Sequence, residues 1–101
     1  MSKKRNGRLP RPERRRFEIR LTRAAERGLT ALDKATLQRV DTAIRGLAVA
    51  PHPPGSKKLQ GTDDLYRIRV AAYRVIYQVE DEHLVVLVVN VGHRRDIYRD
   101  R

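Results

Sequence analysis

The sequence predicts a small α+β domain, a two-helix hairpin packed on a mainly antiparallel four-stranded sheet in the order β-α-α-β-β-β. Three observations predict it. The spacing of apolar residues switches along the chain from a period of two to a period near 3.6 and back to two. Pro51, Pro53, Pro54 and Gly55 stand at the second switch and punctuate it. The chain has 101 residues, of which 40% are apolar, which suits one domain with one modest core. A domain this small buries only about two-thirds of the surface its unfolded chain exposes, so its site is expected to be a shallow groove.

Residues 1–15 carry Lys, Arg, Asn, Gly and two prolines around a single aliphatic residue, Leu9. They have too little to bury to order themselves, and a flexible basic arm is expected ahead of a domain over 16–101. From Arg16 to Leu21, Phe17, Ile19 and Leu21 alternate with Glu18 and Arg20, the pattern of a half-buried strand. Thr22 can cap a first helix, with Ala25, Leu29 and Leu32 at helical spacing and Gly28 keeping it short. Asp33 is a second candidate cap, before the apolar stripe Leu37, Val40, Ile44 and Leu47. The three prolines stop that helix. Leu65–Val70 and Tyr73–Val79 then alternate, Tyr73, Val75, Tyr77 and Val79 sharing one side. Leu84–Val91 is almost continuously apolar and β-branched, as a central strand buried on both faces should be. Glu80-Asp81-Glu82-His83 is the turn between the last two strands.

The composition excludes several classes. There is no cysteine, hence no disulfide framework and no thiolate zinc site. The histidines His52, His83 and His93 are scattered, which argues against a metal site. No apolar run reaches the roughly 18 residues of a membrane helix, and the basic N-terminal stretch has no apolar segment behind it. A soluble cytoplasmic protein is expected, without metal or small-molecule cofactor. There is also no P-loop, Gly-rich dinucleotide turn or nucleophile elbow. Asp63-Asp64 reads as a turn before a strand.

The formal net charge is +11. Residues 1–16 hold eight Lys/Arg against Glu13, a net +7, and residues 17–101 hold fifteen against eleven acidic residues, a net +4. The domain is therefore basic without its arm, and a basic surface attracts polyanions, nucleic acid first. For the arm itself, nucleic-acid binding and a purely solubilising role both remain open.

The gap Ala71-Ala72 bears on chemistry. If it is a two-residue hairpin loop, Arg69 lies opposite Arg74, and opposite residues project from one face. Arg67 shares that face by alternation. Like charges directly opposite destabilise a hairpin, so the cluster points to a bound anion, and the planar guanidinium fork suits phosphate. The alternative is a solvated outer face. Ala-Ala is also a poor match to the Asn-Gly or Asp-Gly of tight turns, and a loop longer by one residue would break the parity. The end of the last strand, brought back beside Arg74, adds His93, Arg94 and Arg95, then Tyr98. Tyr98 can stack on a base or simply cover the sheet edge. His93 is the natural candidate for proton transfer or an ordinary surface histidine. Lys57 and Lys58 with Arg95 are further candidate RNA contacts.

Lys58-Leu59-Gln60-Gly61, Leu65-Tyr66-Arg67-Ile68-Arg69, Tyr73-Arg74-Val75-Ile76-Tyr77 and Val91-Gly92-His93-Arg94-Arg95-Asp96-Ile97-Tyr98 follow one another in an order and spacing that resembles the RelE/ParE toxin superfamily, its RelE branch more than the other. The resemblance covers about residues 16–101. It implies a toxin that cuts messenger RNA on the ribosome, the 2′-hydroxyl attacking the adjacent phosphate to leave a cyclic phosphate and a 5′-hydroxyl. Arg67 and Arg69 take the places of two basic residues on the second strand, Arg74 that of the arginine on the third, Arg94 that of the arginine after the glycine, and Tyr98 that of the C-terminal tyrosine. Two of those strand positions are lysine in the best-known members, one of them a proposed base. Arginine stays protonated in proteins, which shifts suspicion to His93 or to a transfer shared by ribosome and solvent. The resemblance also implies a cognate antitoxin, for whose acidic segment the basic face is a plausible landing place. Two other readings stay open: a ParE-like inhibitor of DNA gyrase that cuts no RNA, and an RNA-binding relative with impaired catalysis.

Overall fold

The computed structural model describes residues 16–62 and 64–93. The expected arm 1–15 lies outside them, as do Asp63 and residues 94–101. Strand β1 is Glu18–Leu21, helix α1 Arg23–Thr30, helix α2 Lys34–Gly46, and strands β2 to β5 are Lys57–Lys58, Leu65–Val70, Tyr73–Glu80 and Val85–His93. They form one sheet in the order β1-β5-β4-β3-β2. β1 runs parallel to β5, and the other pairings are antiparallel.

The α+β class and the helical hairpin follow the sequence reading; the strand count does not. The sheet has five strands, because Lys57 and Lys58 pair with Arg67 and Tyr66 where the chain folds back, Leu59 N donating to Leu65 O at 2.9 Å. Two lysines are too short a run to show any alternation. The last strand also starts at Val85, not Leu84, because Leu84 sits in the turn at φ +53°.

Both helices start at the expected caps. The Thr22 hydroxyl accepts from Ala25 N and the Asp33 carboxylate from Thr36 N, each satisfying an amide that has no partner inside its helix. α1 has eight residues, short as expected. Gly28 has a further role: a Cβ there would stand 2.1 Å from the Val91 carbonyl oxygen, so glycine lets α1 seat directly on β5. From the α2 stripe, Val40, Ile44 and Leu47 are buried, and Leu37 is half-buried. Val40, Ile44 and Leu47 close over Ile68, Val75, Tyr77, Val79, Val86, Val88 and Val91. Each fully buried aliphatic side chain, such as Val40 or Leu47, contributes about 1.5–3 kcal/mol. Tyr77, wholly buried, donates its hydroxyl to Pro51 O at 2.8 Å, which ties the proline loop to the core. Burial pushes the Tyr77 phenol above its ordinary range.

One irregularity decides which side chains share a face. Tyr77 stands opposite Val88, but Ile76 stands opposite Asn90, so Val89 is an extra residue, a bulge. Thr22 holds this point: its N donates to Val88 O at 3.0 Å and its hydroxyl to Val89 O at 2.6 Å. Among the described residues no helix is long and apolar enough to cross a membrane.

Candidate nucleic-acid interface

The β3–β4 loop is the two-residue Ala71-Ala72, with Val70 opposite Tyr73 and Arg69 opposite Arg74. Ala71 takes the left-handed conformation the turn demands, φ +56°, without a glycine. Arg67, Arg69 and Arg74 therefore project together from the face away from α1 and α2. Lys57 is opposite Arg67 and joins them, so two like-charge pairs lie side by side on that face. Lys58 is opposite Tyr66 and belongs to the other side.

Arg69 is exposed, Arg67 and Arg74 are half-buried, and the Arg74 Nε is buried. Beside them Ile76 is nearly inaccessible, an apolar floor under the long arginine stems. Among the described residues, the carboxylates of this face stand toward its other end. Glu18 is paired with Arg20 at 3.0 Å, whose hydrogen bond and charge hold the Glu18 carboxyl below its usual range. Glu80 lies 3.7 Å from His83. Asp64 accepts from Gln78 at 2.6 Å. Among the described residues none of Lys57, Arg67 and Arg69 forms an ion pair.

The end of β5 does return beside Arg74, but Gly92 is the residue opposite it. His93 is opposite Tyr73, and the two rings meet edge-on at 5.5 Å and 75°. Its side chain is therefore on the helix side of the sheet, on the opposite face from Arg67, Arg69 and Arg74. The bulge at Val89 is the reason, since one extra residue exchanges the faces of everything beyond it. Arg94, Arg95 and Tyr98 lie outside the described residues. No group of three or more His, Asp or Glu side chains suited to a metal occurs among the described residues.

The sequence reading passed over Asn90 and Arg27. With Ala24, Gly28 and Val91 they line a groove between α1 and the end of β5, where the Asn90 Oδ1 accepts from Val91 N at 2.9 Å. The one available signal was Asn90 itself, the single polar residue in Leu84–Val91.

Chemically, the face can grip phosphate and stabilise charge that builds on it. Its arginines supply no proton acceptor.

Comparison with known proteins fits this geometry. Residues 19–98 match the family described as the ParE toxin of the type II toxin-antitoxin system parDE. A putative RelE-like toxin protein of Escherichia coli is 37% identical over 87 residues, 82% of this chain and 90% of that one. The mRNA interferase toxin RelE of Escherichia coli K12 is 46% identical over 41 residues, 39% of this chain and 43% of that one. Among solved structures, the RelBE2 toxin–antitoxin complex of Mycobacterium tuberculosis superposes with a TM-score of 0.70 at 30% identity, over 80% of this chain and 94% of that chain.

Proposed function

The chain belongs to the RelE/ParE toxin superfamily of type II toxin–antitoxin systems, and from that premise we propose that it is a metal-independent endoribonuclease that cuts messenger RNA on the ribosome. The observation that carries this reading is the gathering of four cations at opposed register positions, Lys57 opposite Arg67 and Arg69 opposite Arg74, on one sheet face. Opposed like charges repel one another, and a bound phosphodiester, as an anion, is attracted by all four cations.

In the reaction the 2′-oxygen attacks the adjacent phosphorus and the bond to the 5′-oxygen of the next nucleotide breaks. A proton leaves the 2′-hydroxyl and one is delivered to the departing oxygen. The products are a 2′,3′-cyclic phosphate and a 5′-hydroxyl. Arg74 grips the scissile phosphate and strengthens its hold as charge builds there, which lowers the barrier. Arg67, Arg69 and Lys57 hold the strand, with Arg94 and Tyr98 assigned to the same site by the resemblance and Arg95 as a further RNA contact. The arginines leave the proton transfer to another group. The helix-side placement of His93 favours a base supplied by the ribosome or by solvent over His93. A cognate antitoxin is the partner that keeps the toxin silent.

The match to the ParE description favours a second reading, gyrase inhibition without RNA cleavage. Primer extension on messenger RNA, with and without translating ribosomes, separates the two. The wild type should produce ribosome-dependent cuts. Arg74→Ala should abolish them and the toxicity while the protein stays folded, and Arg74→Lys should restore only part, because a point charge lacks the two-pronged contact. Growth arrest by Arg74→Ala as strong as that of wild type, with RNA uncut in both, would reject the ribonuclease reading in favour of gyrase.

A further inference from the structure

β1 covers β5 only from Val85 to Val88. Beyond that point the edge of β5 is satisfied without a strand. Val89 O accepts from the Thr22 hydroxyl, Val91 N donates to the Asn90 side-chain oxygen, and Val91 O is covered by Gly28. α1 stands in the line that a further strand would follow, so this edge cannot accept an extended peptide by main-chain pairing. It forms a notch, lined by Ala24, Arg27, Gly28, Asn90 and Val91.

The polar side chains of the notch are donors. Because the Asn90 Oδ1 is committed to Val91 N, the carboxamide presents its NH2. Among the described residues neither that NH2 nor the Arg27 guanidinium has a hydrogen-bond partner. Among the described residues no carboxylate lines the notch. A guanidinium beside a fixed amide donor recognises an anion.

The notch also continues the arginine face. Arg74 is opposite Gly92 and Asn90 is two residues from Gly92 on the same strand, so Arg74 and Asn90 are diagonal neighbours, roughly 7–8 Å apart. Successive phosphates of an extended polynucleotide are separated by a comparable distance. We propose that Arg27 and Asn90 hold the phosphodiester next to the scissile one, so that the messenger strand bends from Arg74 round the end of β5 into this notch. The assignment rests on the ribonuclease reading and adds a flanking-phosphate subsite to it. Gly28 belongs to the subsite because any side chain there would drive α1 away from Val91.

The test is a coupling cycle between side chain and phosphate. Ribosomes are programmed with a messenger carrying an uncharged methylphosphonate on one side or the other of the scissile position, and cleavage is followed at subsaturating toxin. At one of the two positions the methylphosphonate should slow the wild type about tenfold, the scale of one hydrogen bond to a charged group. Arg27→Gln should be slowed about tenfold on the native messenger and less than twofold further by the methylphosphonate. Asn90→Asp keeps the acceptor for Val91 N but replaces the donor with a carboxylate. It should fold normally, cut the native messenger more slowly than Arg27→Gln does, and regain rate on the methylphosphonate messenger. Losses that multiply independently at both positions would place Arg27 on some other group, such as ribosomal RNA, and overturn the assignment. So would Arg27→Gln weakening the antitoxin complex while cleaving at the wild-type rate. If the wild type cuts no messenger, the ribonuclease reading fails and takes this subsite with it. If the wild type cuts and Arg74→Ala does not, but the losses are independent, only the subsite fails.

Discussion

Gly28→Ala and Gly46→Ala are the same substitution in two helices and should change stability in opposite directions. Intrinsic propensity favours alanine in a helix interior by about 0.8–1.0 kcal/mol. At Gly28 the new Cβ would lie 2.1 Å from the Val91 carbonyl oxygen and 3.0 Å from its carbon. An ordinary carbon–oxygen contact is about 3.3–3.6 Å, so α1 must lift by more than roughly 1 Å. The obstacle is backbone in the second strand of the sheet and cannot rotate away. Overpacking of this kind costs about 1–3 kcal/mol. Taking the upper half of that range and subtracting the propensity gain leaves a net loss of about 1–2 kcal/mol. In a domain of this size Tm moves by roughly 4–8 °C per kcal/mol, so Gly28→Ala should melt about 5–15 °C lower. At Gly46, the last residue of α2, an added Cβ meets nothing within 4 Å. That variant should gain about 0.5–1 kcal/mol and melt a few degrees higher. Thermal and denaturant unfolding of the three proteins side by side decides the matter. A Gly28→Ala protein melting at or above the wild type would refute the close approach of α1 to β5.

Three further outcomes are expected. Arg69→Gln removes one member of the Arg69–Arg74 pair; it should raise stability by a few tenths of a kcal/mol to about 1 kcal/mol, more at low salt, while slowing RNA cleavage, and denaturant midpoints at two ionic strengths would show it. Ala71→Gly relieves the left-handed conformation at φ +56° and should stabilise by up to about 1 kcal/mol after the entropy of glycine is subtracted, read as a higher urea midpoint. For Tyr77, burial holds the phenol above its ordinary value of 10.0, so the folded state favours the neutral form. The stability this contributes is fully present below about pH 10 and is lost as pH rises through the raised folded value; Tyr77→Phe should flatten that alkaline loss and cost about 0.5–1.5 kcal/mol at neutral pH for the missing bond to Pro51.

Much of the arginine face was legible in the chain, because alternation and a two-residue gap are local properties. Tyr73, Val75, Tyr77 and Val79 declared the core side of β4, which left Arg74 for the other side, and Ala71-Ala72 carried that parity back to Arg69 and Arg67. Lys57 was legible as a cation, but not as the residue opposite Arg67, since a two-residue strand has no period of its own. His93 was legible as the group able to move a proton near neutral pH. Its face was not, because it depends on the bulge at Val89, and nothing in the run Leu84–Val91 marks where an extra residue falls. Asn90 interrupts that run visibly, yet Arg27, which lines the same groove, lies 63 positions away, beyond the reach of any spacing rule.

The sequence by itself determined the α+β class, both helix starts, the proline stop and the basic strands, because periodicity, caps and turn residues act over a few neighbouring positions. Only the tertiary structure decided which of the basic and proton-bearing residues share a surface. That choice depends on register, and register is settled by contacts between distant segments: Thr22 against the bulge, Gly28 against Val91 and Gly92 against Arg74. A slip of one residue at any of them exchanges the faces of a strand while leaving its local pattern unchanged.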